Sequence, residues 1–171
     1  MLVSLVVCML GTIRVDLPIV VSAQAPPSNV ETFIVPWTGV RVGVFDNDNA
    51  GAFQGLDGQL LVGFDSQGTN EVAVLRVPVL LEGRGLIGGR WRGGLVGVAG
   101  YGFGGFGVGV GVSSFKAFDD ERLRGFALLT LRSGGGVEFA FGPAFTRIEV
   151  GAGLRNSRFE VAGTFAVGGA W

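Results

Sequence analysis

The residues best suited to binding a metal ion lie in one short acidic segment. Asp46, Asp48 and Gly51 take positions one, three and six of a calcium-binding loop, and Asp57 lies eleven residues after Asp46, where such loops usually carry a glutamate. Ala50 takes position five and offers no side-chain ligand. Asparagine, aspartate and glycine are also the ordinary residues of turns. We therefore expect no metal and no cofactor, with Asp46, Asp48 and Asp57 as weak calcium candidates.

The other charged residues favour ion pairs over catalysis. The chain has no histidine, the commonest general base and metal ligand, and no Gly-x-Ser-x-Gly nucleophile motif. Three glutamates could supply paired carboxylates for hydrolysis, but arginines lie on the same faces of the neighbouring strands. Charges inside a protein must be paired to be tolerated. We therefore predict no enzymatic activity and an ion-pair network inside the fold, formed by Arg122, Arg124, Glu138, Arg147, Glu149 and Glu160.

Composition indicates one domain of unusual character. The 171 residues include 32 glycines, only 16% are charged, and the mean hydropathy is +0.51. Soluble domains carry about 25% charged residues. The net charge is −1 and the arginines are scattered, so we predict no nucleic-acid partner. The single cysteine, Cys8, excludes an intrachain disulfide.

Strand-like segments must position these charges, because helical periodicity is absent after residue 30. Turn signals are expected at 46–58, 82–85, 133–136 and 154–157, with an irregularity at 104–105 and interruptions at 93–94 and 142–143. The strands are predicted at 32–45, 59–65, 71–81, 86–102, 106–114, 122–132, 137–152 and 158–171. This pattern predicts an all-β protein, either an antiparallel up-and-down β-barrel of about eight strands or a sandwich. Splitting the fourth or seventh strand would give nine or ten.

Side chains alternate between an apolar and a polar face along these strands. In 158–171, Phe159, Val161, Phe165 and Trp171 share one face, and Glu160 lies on the other. In a soluble fold the apolar face is the core, whereas in a membrane barrel it meets lipid and the charges line the lumen. The segment 94–113 has no charge, and large apolar residues alternate with glycine from 106 to 112. Small inward residues suit a narrow barrel, so this segment favours the membrane interpretation.

The N-terminus resembles a secretory leader. Apolar runs at 2–10 and 17–21 precede Ala23-Gln24-Ala25, whose small residues fit a cleavage site. We predict a signal peptide at 1–25 and a single β-barrel domain at 26–171. An uncleaved N-terminal anchor is the alternative.

These features together resemble the small outer-membrane β-barrel proteins of Gram-negative bacteria. The resemblance rests on the leader-like start, about eight amphipathic segments and a last strand that ends in an aromatic residue. It implies outer-membrane lipid and the barrel-assembly machinery as partners, with Phe165, Val167 and Trp171 as the assembly signal. It also implies an outer-membrane location and a structural, adhesive or surface role. The alternative is a secreted or periplasmic soluble β-barrel or sandwich that binds an apolar ligand or a protein partner.

Overall fold

The protein is an antiparallel sheet built almost entirely of long strands. The computed structural model describes residues 12–25, 33–47, 52–68, 72–93, 95–117 and 120–171. In these ranges the chain forms nine strands: β1 (Thr12–Gln24), β2 (Phe33–Asn47), β3 (Ala52–Gly63), β4 (Asp65–Gly68), β5 (Val72–Gly93), β6 (Val96–Ala117), β7 (Asp120–Phe141), β8 (Ala144–Arg155) and β9 (Arg158–Ala170). The described part of the chain contains no helix with the length and hydropathy needed to cross a membrane.

The strands close into a ring. Except for β3 and β4, neighbours in sequence pair antiparallel. β1 pairs with both β2 and β9, and β3 pairs with β5, which closes the sheet. β3 and β4 both pair with β5, and the register is continuous from Val62 opposite Val79 to Asp65 opposite Arg76. Phe64 alone separates β3 from β4. They therefore act as one interrupted strand, and the ring has eight positions. The predicted all-β, antiparallel, up-and-down arrangement of about eight strands is confirmed.

The first strand lies within the predicted signal peptide, and the domain boundary at residue 25 stays a prediction. β1 lies wholly inside the segment assigned to the leader, 1–25, yet eleven of its residues face partners on β2 and eleven face partners on β9. Arg14 and Asp16, which interrupt the apolar run, point inward between outward Ile13 and Leu17. The period-two pattern therefore begins before residue 26, and a domain of 26–171 omits a strand of the ring.

Two of the predicted turns lie within strands. The segment 82–85 belongs to β5 and the segment 133–136 to β7, and β6 runs without interruption through 104–105. The alternation of inward and outward positions continues through these glycines. Large side chains of neighbouring residues fill the space that a side chain at an inward glycine would occupy. A Cβ placed on Gly136 would lie 2.7 Å from the Tyr101 hydroxyl oxygen and 2.9 Å from Glu149 Cγ.

The turn predicted at 46–58 is also mostly strand. β2 continues to Asn47 and β3 begins at Ala52. The predicted interruptions, by contrast, coincide with strand ends: β5 ends at Gly93 and β6 begins at Val96, and residues 142–143 form the turn between β7 and β8.

The apolar face of the sheet points outward. Every ring position carries large apolar side chains that are exposed on the outer wall, among them Leu17, Val42, Leu60, Leu81, Val110, Leu129, Ile148 and Phe165. The alternate positions point inward and are mostly polar or aromatic. This distribution is the reverse of a soluble domain, whose apolar residues form the core.

Glycines on the two faces have different surroundings. On β6, inward Gly107 is crowded: an added Cβ would lie 2.6 Å from Thr130 Oγ1 and 3.0 Å from Glu82 Cβ. A Cβ added to outward Gly104, on the same strand, would have no neighbouring heavy atom within 4 Å.

This contrast predicts that a methyl group added at Gly107 and one added at Gly104 change the free energy of unfolding by different amounts. Overpacking is expected to make Gly107→Ala destabilise the fold by about 1–3 kcal/mol. The control Gly104→Ala is expected to stay within about 0.5 kcal/mol of the parent chain. Guanidinium unfolding in phospholipid vesicles, followed by tryptophan fluorescence, measures both free energies. Equal effects of the two substitutions would contradict the assigned faces.

The two ends of the ring differ. The lower end holds Thr12, the turn after Phe141 and the C-terminal residue Trp171; the upper end holds the β8–β9 turn, where Asn156 and Ser157 adopt φ angles of 48° and 65°. The topmost residue pair of β7 and β8 is Thr130 with Arg155, so residues 120–129 of β7 continue above β8. At 3.3 Å per residue this extension is about 33 Å along the strand. The β6–β7 hairpin therefore protrudes from the upper end.

Candidate functional site

The interior of the ring contains equal numbers of opposite charges. Besides Asp65, which is 8% exposed and lies at the upper mouth, six arginines and six carboxylates of the described residues point inward, and none of these twelve has more than 6% of its surface exposed. They are Arg14, Arg41, Arg84, Arg132, Arg147 and Arg155 with Asp16, Asp57, Glu82, Glu138, Glu149 and Glu160. We call these twelve residues the interior network. The middle of the ring is thus filled by side chains rather than open to solvent.

Glu149 on β8 is the centre of the network. Arg41 Nη1 donates to its Oε1 at 2.9 Å, Arg84 Nη1 donates to its Oε2 at 2.9 Å, and the Tyr101 hydroxyl donates to Oε1 at 2.7 Å. These donors come from β2, β5 and β6. One carboxylate therefore joins strands from opposite sides of the ring.

Direct neighbours on adjacent strands form a second type of pair. Asp57 lies opposite Arg84 in the β3–β5 register, and Arg84 Nε and Nη2 donate to its two oxygens at 2.8 and 2.7 Å. Glu138 lies opposite Arg147 in the β7–β8 register, with Nη2 3.1 Å from Oε2. Opposite charges at facing positions stabilise adjacent strands. Bidentate contacts of the Asp57–Arg84 kind are among the strongest of these bonds.

Gln59 connects the centre of the network to its upper part. Its Oε1 accepts from Arg41 Nε at 3.1 Å, and its Nε2 donates to Glu82 Oε2 at 2.6 Å. Glu82 also accepts from Arg132, with Nε 3.0 Å from Oε1. Above it, Arg155 Nη2 donates to Glu160 Oε1 at 2.9 Å, and Gln24 Nε2 donates to Oε2 at 3.0 Å. The two parts thus form one connected network.

Aromatic rings separate the guanidinium groups and stabilise them. The Cζ atom of Arg84 lies 4.6 Å from the centroid of the Phe103 ring, and that of Arg14 lies 4.6 Å from the Phe45 ring. Cation–π contacts of this kind are stronger when water is excluded. The inward aromatic residues are therefore part of the charge-bearing interior, not a separate core.

The structure brings together four of the six residues predicted for this network. Glu138, Arg147, Glu149 and Glu160 point inward and are ion-paired. Arg122 and Arg124 do not belong to it, because they lie on the protruding part of β7 above the ring. There, exposed Arg122 pairs with Asp120, with Nη2 2.6 Å from Oδ2.

Two of the three calcium candidates are residues of strands. Asp57 is an inward residue of β3, and Arg84 occupies both of its oxygens. Asp46 is a residue of β2, and Asp48 lies outside the described residues. Within the described ranges, no group of three or more His, Cys, Asp or Glu side chains is placed to hold a metal ion.

Sequence reasoning missed eight of the twelve network residues: Arg14, Asp16, Arg41, Asp57, Glu82, Arg84, Arg132 and Arg155. The signal that could have found most of them is parity. Glu82 and Arg84, for example, lie at inward positions with outward Leu81 and Gly83 as neighbours, but the predicted turn at 82–85 concealed the pattern.

The fold resembles solved outer-membrane structures. Ail, the attachment invasion locus protein of Yersinia pestis, superposes with a TM-score of 0.61 at 13% identity, over 95% of this chain and 100% of that one. Ail in complex with the heparin analogue sucrose octasulfate gives 0.61 at 12% identity, again over 95% and 100%. The chain has the fold of a small outer-membrane β-barrel. Neisserial surface protein A, at a TM-score of 0.48 and 9% identity, covers 94% of this chain and 97% of its own. No protein-family model and no curated protein matches the chain.

In this outer-membrane barrel fold, the interior network has the properties of a structural plug. Each of its carboxylates lies within ion-pair distance of at least one arginine, and the inward aromatic residues fill the space between them. Removing one member of a buried pair leaves an uncompensated charge and costs about 3–5 kcal/mol. The arrangement therefore favours mechanical rigidity over proton transfer or transport.

Proposed function

We propose that the protein is a non-enzymatic outer-membrane β-barrel with a structural, adhesive or surface role. The observation that carries this proposal is the inverted arrangement of the two faces, apolar outside and charged inside. Lipid tails can surround an apolar outer wall of this kind, whereas contiguous apolar patches of this size are rare on soluble monomers. Closure into a ring also leaves no unpaired edge around the barrel, which a lipid environment requires.

Strand length supports a membrane-spanning role. Crossing a bilayer takes about 9–11 residues of tilted strand. The shortest strands that act alone in the ring have 12 or more residues, and β5, β6 and β7 have 22 each. The excess length of β7 lies at the upper end, where residues 120–129 extend beyond β8 and would enter solvent.

The protruding β6–β7 hairpin is the part best suited to a surface role. It carries Lys116, Glu121 and Arg122 at exposed positions above the ring. Ail, which shares the fold, is named as an attachment invasion locus protein. By analogy of fold, we propose that the upper end of this barrel faces the outside of the cell and contacts other surfaces.

Assembly would follow the route that the last strand indicates. Phe165, Val167 and Trp171 lie exposed on the outer face of β9 and at its end. We propose that the barrel-assembly machinery recognises these side chains and that outer-membrane lipid surrounds the finished barrel.

Fractionation of a Gram-negative host that expresses the chain tests this proposal. We expect the protein in the outer membrane, with a band that changes mobility between unboiled and boiled samples because the closed sheet resists detergent. A chain ending at Ala170 is expected to assemble poorly. A detergent-free soluble monomer would contradict the membrane location, and normal assembly of the shortened chain would contradict the role of Trp171.

Labelling of intact cells tests the orientation within the same proposal. An epitope inserted directly after Ala117, the last residue of β6, is expected to bind antibody on intact cells. The matched control carries the same epitope directly before Val96, the first residue of β6 at the lower end, and is expected to bind only after permeabilisation. The reverse result would contradict a surface role for the hairpin.

A further inference from the structure

A cavity opens at the upper mouth of the ring, above the interior network. Its volume is about 380 Å³, and residues of β2, β5, β6, β7 and the β8–β9 turn line it. Its floor is apolar: Trp37, Pro78 and Leu128 are buried there, and half-buried Phe126 packs against the same cluster. An apolar floor of this size can accept the body of a small organic molecule.

The rim of this cavity has an excess of positive charge. Arg76, Arg124, Arg155 and Arg158 line it, and Asp65 is the single carboxylate among its lining residues. Asp65 is already close to Arg76, with Oδ2 3.9 Å from Nη1. No carboxylate of the described residues lies within ion-pair distance of Arg124 or Arg158. The mouth therefore differs from the interior network below it, where opposite charges are equal in number.

Arg155 forms part of the wall of the cavity. Only 4% of its surface is exposed, its guanidinium stacks 4.3 Å from the Trp37 ring centroid, and Nη2 is bound to Glu160. Its Nε is buried without a hydrogen-bond partner in the protein. Arg155 therefore already contacts Glu160 and Trp37, and the positive charge available at the mouth comes from Arg124 and Arg158.

We propose that this mouth cavity binds a compact amphiphilic anion, a carboxylate or sulfonate attached to a small apolar body. The apolar body lies on the floor between Phe126 and Leu128. The anionic group lies at the rim, where Arg124 and Arg158 supply positive charge. Hydrogen bonds from guanidinium to an anion are stronger than those between neutral groups. Because the floor is apolar and the rim is cationic, the ligand must carry both an apolar body and an anionic group.

Titration calorimetry on the full chain in phosphatidylcholine nanodiscs tests this proposal, with 2-naphthalenesulfonate as the probe. We expect saturable binding that exceeds partition into empty nanodiscs. The neutral analogue 2-naphthylmethanol and inorganic sulfate are each expected to bind at least tenfold more weakly, because each lacks one of the two parts. Equal affinity for the alcohol, or equal uptake by empty nanodiscs, would overturn the proposal.

A matched pair of variants locates the site. The double substitution Arg124→Gln with Arg158→Gln is expected to raise the dissociation constant of the sulfonate at least tenfold. Arg122→Gln, two residues away on β7 but bound to Asp120 outside the cavity, is expected to change it less than twofold. Unchanged binding by the double variant would overturn the assignment. The heat-dependent gel shift of each variant reports folding separately, so loss of binding is distinguished from failure of the barrel itself.

Discussion

A chain that begins at residue 26 is expected not to form the closed ring, whereas a chain that begins at residue 12 is expected to fold as well as the whole chain. Loss of β1 leaves β2 and β9 without the partners that face them over eleven residues on each side. Each unsatisfied backbone group in lipid costs several kcal/mol, so the folded fraction should fall close to zero. Loss of Arg14 would also deprive Glu138 of one of its two arginines.

Refolding measures this difference directly. Urea-unfolded chains comprising residues 1–171, 12–171 and 26–171 are diluted into phospholipid vesicles. The folded fraction is the part that migrates in the heat-sensitive band, and circular dichroism reports its strand content. The chain 12–171 controls for shortening as such. If 26–171 folded as completely as 12–171, β2 and β9 would have to pair directly, and the assignment of β1 to the ring would be wrong.

The second large effect is expected from Arg84→Met, which should destabilise the barrel by about 3–5 kcal/mol. Arg84 binds both oxygens of Asp57 and both oxygens of Glu149. Glu149 retains Arg41 and Tyr101, but among the described residues Asp57 retains only Arg147 as an ion-pair partner, whose Nη1 is 3.6 Å away. The main cost is therefore an uncompensated carboxylate at Asp57.

A second variant separates loss of charge balance from loss of packing. Adding Asp57→Leu to Arg84→Met removes the unpaired carboxylate and is expected to recover part of the lost stability. Arg122→Met, which breaks only an exposed pair, serves as the control and is expected to have no measurable effect. Guanidinium unfolding in vesicles compares the four chains. Wild-type stability of the single Arg84 variant would mean that water, rather than arginine, satisfies Asp57.

Alternation of side chains was sufficient to predict the general fold. The pattern along 158–171 predicted that Val161 and Phe165 share a face opposite Glu160. In the structure Val161 and Phe165 lie on the outside of the ring and Glu160 lies inside it. A period of two fixes which residues share a face, because it depends on local geometry alone. It does not tell which face points outward, since a soluble sandwich has the same pattern.

The individual ion pairs could not be predicted in the same way. Arg41 and Glu149 are 108 residues apart and meet across the interior, so their contact depends on the number of strands and their stagger. Glycine runs led to turns being predicted within strands, because glycine is common in turns. Here the inward glycines lie beside large inward side chains such as Tyr101. Two charges at 14 and 16 similarly concealed a strand, because charged inward positions resemble interruptions of an apolar segment.

The pairing of β1 with β9 has a consequence for the order of folding. Other neighbouring strands are hairpin partners or, for β3 and β5, flank a short intervening strand, whereas the pairs between β1 and β9 join residues 14–24 to residues 160–170. Contacts between distant parts of a chain form slowly, because the entropy of closing a long loop is lost before the contact stabilises it. Ring closure should therefore be the last and slowest step. Until it occurs, both terminal strands keep a free edge, and that interval is when the chain is most exposed to aggregation.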